Sequence, residues 1–229
     1  MTKASGTVQA LVFDIDGVLV DTEQLHFSAW QKLLAEHGAT LALEEYLPFI
    51  GRGSTENMAD ICTRKQMSGD HAALNLRRRE IYRQLRSSGI SVLAENVALA
   101  RNFARAYPKM PRIAATNSIQ QDTDENLAAA GLTGFFQFVV AFQNYPGLKR
   151  KPAPDLYLEA VRQLGIPAAE CLAFEDTEHG VTAAHAAGLR VVALPSVLTE
   201  GQNFSAADLV IPSGAPREPM MIVKKIAAR

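Results

Sequence analysis

Apolar residues along this chain follow two alternating rhythms. Short continuous runs such as VQALVF at 8–13 have the length and composition of buried strands. Elsewhere apolar residues recur every third or fourth position, the period of an amphipathic helix. Phe27, Trp30, Leu33 and Leu34 keep that period, and Gly38 ends the helix. From about 40 to 90 the chain stays helical in character, through Glu44 to Phe49, the turn GRGST at 51–55 and the charged helix LNLRRREIYRQLRSSG. A helix over about 96–106 then precedes the strand RIAAT at 112–116. The helix QQDTDENLAAAGL, closed by Gly131, leads to a strand in FQFVVAF. PDLYLEAVRQLG, with Pro154 suited to its start and Gly165 to its end, leads to the strand CLAFE at 171–175. The helix HGVTAAHAAG, the strand LRVVAL and a short edge strand in ADLVI complete the series. The tail from about 214 to 229 stays open between a last helix and a frayed end.

Strands alternating with helices predict an α/β fold, a Rossmann-like doubly wound parallel sheet with helices on both faces. The all-helical block interrupts this alternation directly after the first strand. It therefore predicts an inserted all-helical cap. The expected division is a catalytic core of residues 1–21 and 93–229 and a cap of residues 22–92.

In an open parallel sheet, ligands bind beyond the carboxyl ends of the strands. The first strand is followed by Asp14, Asp16 and Gly17, and the next by Thr116, Asn117 and Ser118. The third leads through a loop to Lys149, Arg150 and Lys151, and the fourth to Glu175, Asp176 and Thr177. Several carboxylates converging on one point repel one another and ask for a cation. All-oxygen ligation points to magnesium. A lysine and a hydroxyl beside the acids suit a transferring phosphoryl group. One aspartate can attack phosphorus, and a second carboxyl can protonate the leaving alcohol and then activate water.

These stretches, DIDGVLVDTE, ATNS, KPAPD and FEDTEHGVTAAHAAG, resemble the four motifs of the haloacid dehalogenase superfamily, in that superfamily's order. The chain looks most like the β-phosphoglucomutase-like branch of sugar-phosphate phosphatases and mutases, with a helical cap after the first motif. The resemblance implies that Asp14 is the nucleophile and a magnesium ligand. It implies that Asp16 is the general acid/base, its backbone carbonyl also binding the metal. Thr116 would donate its hydroxyl to the phosphoryl group, beside the Asn117 N–H. Lys151 would neutralise the phosphoryl charge and Asp14. Asp176 would bind magnesium directly or through water, with Glu175 in support.

Two cap residues are further candidates for substrate binding. His26 lies in LHFSAW, which is similar to the mutase branch, and is open between a catalytic or gating role and a structural one. Arg52, in FIGRGST, is open between a surface position and contact with a second anionic group of the substrate. Gly53-Ser54 departs from the Ser-Arg that mutases tend to carry slightly later in this turn. The stretch is no P-loop, because the lysine and its spacing are absent. Asp21, Thr22 and Glu23 read as a hinge and helix start. Arg77 to Arg79, Arg83 and Arg86 read as a solvated cap face, and His179 and His185 as structural.

The 229 residues carry 48% apolar side chains, ample for a core, and a formal net charge of −1. That charge offers nothing to nucleic acid or to an anionic membrane. Cys62 and Cys171 lie far apart without metal-ligand spacing, and read as buried or incidental thiols of a reducing cytosol. The amino-terminal stretch MTKASGTVQALVFDIDG has too short an apolar run, interrupted by acids, to read as a signal peptide. The expectation is a cytoplasmic, magnesium-dependent phosphatase of a small phosphorylated metabolite, with a sugar phosphate as the favoured substrate, acting as a monomer or weak homo-oligomer. A β-phosphoglucomutase-type mutase is the alternative. Dehalogenation and phosphonate cleavage fit less well, and a regulatory protein on the same scaffold fits poorly with a complete set of acids, threonine and lysine.

Overall fold

A computed structural model describes residues 7–228. Residues 1–6, the start of the stretch judged for a signal peptide, and Arg229 at the end of the tail lie outside the described residues. In chain order the elements begin with β1 (Ala10–Phe13), β2 (Val20–Asp21), α1 (Glu23–Glu36), α2 (Leu43–Tyr46), α3 (Ser54–Arg64) and α4 (His71–Arg86). There follow β3 (Ser91–Val92), α5 (Ala94–Ala106), β4 (Arg112–Thr116), α6 (Gln120–Ala129) and β5 (Val139–Ala141). The last are α7 (Asp155–Leu164), β6 (Cys171–Glu175), α8 (Glu178–Ala186), β7 (Arg190–Ala193), β8 (Leu209–Val210) and α9 (Pro219–Ala227). The chain divides into two compact units. One runs up to Asp21 and resumes at Val92; the other is Thr22–Ser91.

The first unit is built on a six-stranded sheet in the order β5-β4-β1-β6-β7-β8, with every neighbouring pair parallel. β1 and β6 are buried along their whole length, as expected of strands covered on both faces. Ala10 and Val12 point into one core layer with Ile113, Ala115, Val140, Tyr157 and Val191. Phe13 belongs to the other layer: its ring stacks on Phe174 at 4.5 Å, and Phe103 meets Phe174 edge-on at 5.4 Å. The register sets Phe13 beside Ala114 on one side and Phe174 on the other. The residues that follow β1, β4 and β6 therefore emerge side by side at one edge of the sheet.

Two expectations are refined here. FQFVVAF is a strand only over Val139–Ala141; Phe142 opens a short 3-10 turn, and Phe136 packs against Phe13 at 5.8 Å instead of pairing. The open tail contains a helix, α9, which buries Ile222 and Ile226.

The second unit is helical, with α1 and α4 packed along each other. α1 buries Ala29, Trp30, Leu33 and Leu34. The arginine run of α4 is not one solvated face, contrary to the expectation. Arg78 and Arg86 are only 5% and 6% exposed. They fall in the same helical stripe as Leu74, Ile81 and Tyr82, so packing against α1 carries them inward. Arg77, Arg79 and Arg83 remain exposed, and Arg77 pairs with Glu36 at 2.6 Å. Among the described residues, no helix is long and apolar enough to cross a membrane.

Candidate active site

The carboxyl edge of the sheet gathers the charged residues of the first unit. β1 ends at Phe13 and delivers Asp14, which is 7% exposed. The loop before α7 delivers Lys151, buried to 8% and followed by a cis peptide to Pro152. Its ammonium donates to Asp14 Oδ1 and to Glu175 Oε1, each at 2.6 Å, and to the Ala115 carbonyl at 2.8 Å. One cation thus ties together the ends of β1, β4 and β6. The two carboxylates hold the Lys151 ammonium well above the usual lysine range despite its burial. Burial pushes the Asp14 carboxyl up to about 8; Lys151 opposes this, while Glu175 and Asp16 add to it.

Asp176 follows Glu175, and the two with Asp14 form a fully buried group whose ligand atoms lie within 4.8 Å of one another. Two glycines make room for it. A Cβ at Gly17, whose φ is +79°, would lie 1.9 Å from Asp176 Oδ2. A Cβ at Gly180 would lie 1.9 Å from Glu175 Oε2. That Glu175 oxygen is buried and has no hydrogen-bond partner. Three buried acids meet here, and Lys151 pairs with two of them. The donor set is all oxygen, so these residues fit a small hard dication.

Asp16 stands beside this cluster with its carboxylate held from two elements. Thr116 Oγ1 and Ser118 Oγ donate to Oδ2 at 3.2 and 2.8 Å, and Asn126 Nδ2 donates to Oδ1 at 2.9 Å. Asn117 works as a loop clamp: its Oδ1 accepts from the Lys151 backbone N–H at 3.0 Å, and its carbonyl accepts from Arg150. The edge thus brings together Asp14, Asp16, Thr116, Asn117, Lys151, Glu175 and Asp176.

His26 and Arg52 belong to the helical unit. His26 stacks on Tyr82 at 4.1 Å, and its Nδ1 lies 3.4 Å from the Arg78 guanidinium. Burial first, then Arg78 and Arg86, push its imidazole down to about 3. It is a neutral acceptor at physiological pH. Arg52 is engaged by Asp60 at 2.8 Å and lies over the Phe49 ring.

Three residues of interest had not been singled out from the sequence. Tyr157 donates its hydroxyl to Glu175 Oε1 and lies beside the Lys151 ammonium. Its signal was a tyrosine on the apolar stripe of a helix that starts directly after the lysine loop. Asn126 is fully buried on α6, where an apolar residue would be the usual choice. Arg78 lies over Trp30, makes no ion pair among the described residues, and keeps an unpartnered, buried Nε. Its signal was its spacing, four residues after Leu74 and four before Tyr82, on the apolar stripe of α4.

A parallel α/β sheet with paired aspartates, a lysine and further acids at its carboxyl edge fits a hydrolase. The chain belongs to the haloacid dehalogenase-like hydrolase family, whose model matches residues 8–188. It is 37% identical to Protein CbbY of Rhodobacter capsulatus over 90% of this chain and 93% of that one. It is 29% identical to the fructose-1-phosphate phosphatase YqaB of Escherichia coli, over 80% of this chain and 94% of that one. Among solved structures it resembles a mutant of CbbY from Rhodobacter sphaeroides in complex with xylulose-1,5-bisphosphate. The TM-score is 0.74 at 27% identity, over 89% of this chain and 93% of that one.

Proposed function

We propose that this protein is a magnesium-dependent phosphatase of small sugar phosphates, acting through an aspartyl-phosphate on Asp14. One observation carries the reading: a buried nucleophile candidate bonded to Lys151, within a group of three buried acids able to hold a metal ion. CbbY and the fructose-1-phosphate phosphatase, as relatives, favour a sugar phosphate. The helical unit is the cap that selects the leaving group. Its buried Arg78, without a carboxylate partner, suits an anion.

The metal would be held by Asp14, Asp176 and the Asp16 carbonyl, with Glu175 in support, and would supply charge neutralisation for the phosphoryl oxygens and for Asp14. Lys151 holds Asp14 Oδ1 and leaves Oδ2 to attack phosphorus. The Thr116 hydroxyl turns from Asp16 to a phosphoryl oxygen. The bond from phosphorus to the ester oxygen breaks, and Asp16 delivers its proton to that oxygen. Asp16, now a carboxylate, takes a proton from water as the water oxygen attacks phosphorus. The bond to Asp14 breaks, releasing inorganic phosphate and restoring the Asp14 carboxylate. Tyr157 keeps Glu175 in place throughout. A cytoplasmic setting and a soluble substrate follow from this reading.

The test is phosphate release from a panel including fructose 1-phosphate and xylulose 1,5-bisphosphate, with magnesium, with chelator, and with Asp14→Asn. Release that requires both metal and Asp14 is expected. Interconversion of hexose phosphates without release would replace the phosphatase reading by a mutase. Release untouched by Asp14→Asn would overturn the mechanism.

A further inference from the structure

We propose that Asn126, together with Ser118, is a positioning residue for proton transfer by Asp16. The inference rests on the acid/base role proposed above for Asp16. Asn126 lies on α6, whose inward stripe is Thr123, Asn126 and Leu127. Asn126 is 0% exposed. A buried amide at such a position is costly unless its hydrogen bonds are made, and a leucine would fill the space without that cost. The Asn126 amide spends a donor on Asp16 Oδ1 at 2.9 Å, across 110 residues of chain. Ser118 holds the other oxygen, Oδ2, at 2.8 Å.

The contact from Thr116 to the same Oδ2 is the longest of the three, at 3.2 Å. Its single hydroxyl proton is the one the phosphoryl group needs. Once Thr116 turns to the substrate, Ser118 still holds Oδ2 and Asn126 still holds Oδ1. The pair thus fixes the plane of the carboxyl and the direction in which it presents its proton. A general acid must lie within hydrogen-bond reach of the leaving oxygen, and a misplacement of about 1 Å costs on the order of a hundredfold.

Leaving-group chemistry separates this role from a structural one. An alkyl leaving group needs the proton; p-nitrophenolate leaves without it. The experiment compares kcat and KM of the wild type, Asn126→Leu, Ser118→Ala and Asp16→Asn. The substrates are the sugar phosphate turned over fastest in the panel above and p-nitrophenyl phosphate. Asn126→Leu keeps the volume near native, Ser118→Ala removes only one hydroxyl, and thermal melting checks that each variant folds. The sugar-to-aryl ratio of kcat/KM, which reports the first phosphoryl transfer and not the hydrolysis common to both substrates, is expected to fall about tenfold or more in Asn126→Leu and less in Ser118→Ala. Asp16→Asn should collapse the same ratio further. Equal losses on both substrates, or an unchanged ratio in both Asn126→Leu and Ser118→Ala while Asp16→Asn collapses it, would overturn the inference alone. A ratio unchanged in Asp16→Asn would overturn the acid role of Asp16, and the inference with it.

Discussion

The two units bury charge of opposite sign. At the sheet edge of the first unit, Asp14, Glu175 and Asp176 converge, and Lys151 bridges the first two. On α4 of the second, Arg78 is buried over Trp30 and against a neutral His26, with no ion pair among the described residues. A buried charge without its opposite is a net cost to the fold. The first unit thus concentrates buried acid and the second buried base. The two groups differ in how they are held. The acids stand at strand ends, fixed by the sheet register and by Lys151. The arginine extends from a helix, steered by aromatic faces.

Removing Lys151 should break this contrast most severely. Lys151→Met takes the cation away from Asp14 and Glu175. Turnover is expected to fall on the order of a thousandfold. The metal-free protein should lose about 3 kcal/mol in urea unfolding, part of it restored by magnesium. A fully stable Lys151→Met protein without metal would mean that the acids are not charged together.

Gly17→Ala tests the packing of the acid group. The new Cβ would meet Asp176 Oδ2 at 1.9 Å on a backbone with φ +79°. A loss of about 2–4 kcal/mol is expected, together with loss of the magnesium-induced rise in melting temperature. Gly89→Ala in the helical unit is the control. Its φ is +123° but nothing lies within 4 Å of the added Cβ. About 1 kcal/mol and an intact response to magnesium are expected there.

Arg78→Met probes the opposite charge. Removing a buried cation that has no carboxylate partner should leave stability unchanged or raise it by about 1 kcal/mol. KM for a doubly phosphorylated sugar should rise about tenfold, and KM for a singly phosphorylated one less. A loss of more than about 2 kcal/mol in urea unfolding would instead make Arg78 part of the scaffold.

The last effect concerns pH. Arg78 and Arg86 face His26, Tyr82 stacks on it, and its pKa is about 3 against 6.5 for the free side chain. The unfolded chain takes up a proton below 6.5 that the folded one refuses until about 3, so this contribution is complete above 6.5 and declines as pH falls through that window. Between pH 7 and 5 the wild type should lose about 2 kcal/mol more than His26→Asn, measured by urea unfolding at each pH. Identical pH dependence in the two proteins would show that the imidazole takes up its proton in the fold as readily as in the unfolded chain.

Much of this was legible in the chain. RIAAT and CLAFE are β4 and β6 residue for residue, because strands buried on both faces leave continuous apolar runs bounded by polar loops. The acids, threonine and lysine were found because they follow strand ends, where a parallel sheet presents its loops. FQFVVAF misled because its phenylalanines are buried outside the strand as well as beside it. The arginine run misled because charge on a helix reads as solvated until the packed face is known.

By itself the sequence determined the alternation of strands and helices, the inserted helical block, and which residue types stand at each strand end. These depend on local periods and turn chemistry, which neighbouring residues carry. Only the tertiary structure decided that Lys151 would bridge Asp14 to Glu175, that Asn126 on α6 would reach Asp16, and that Arg78 and Arg86 would turn inward. Those outcomes depend on strand order and on which helix faces meet, and residues distant in the chain acquire them only when the core closes.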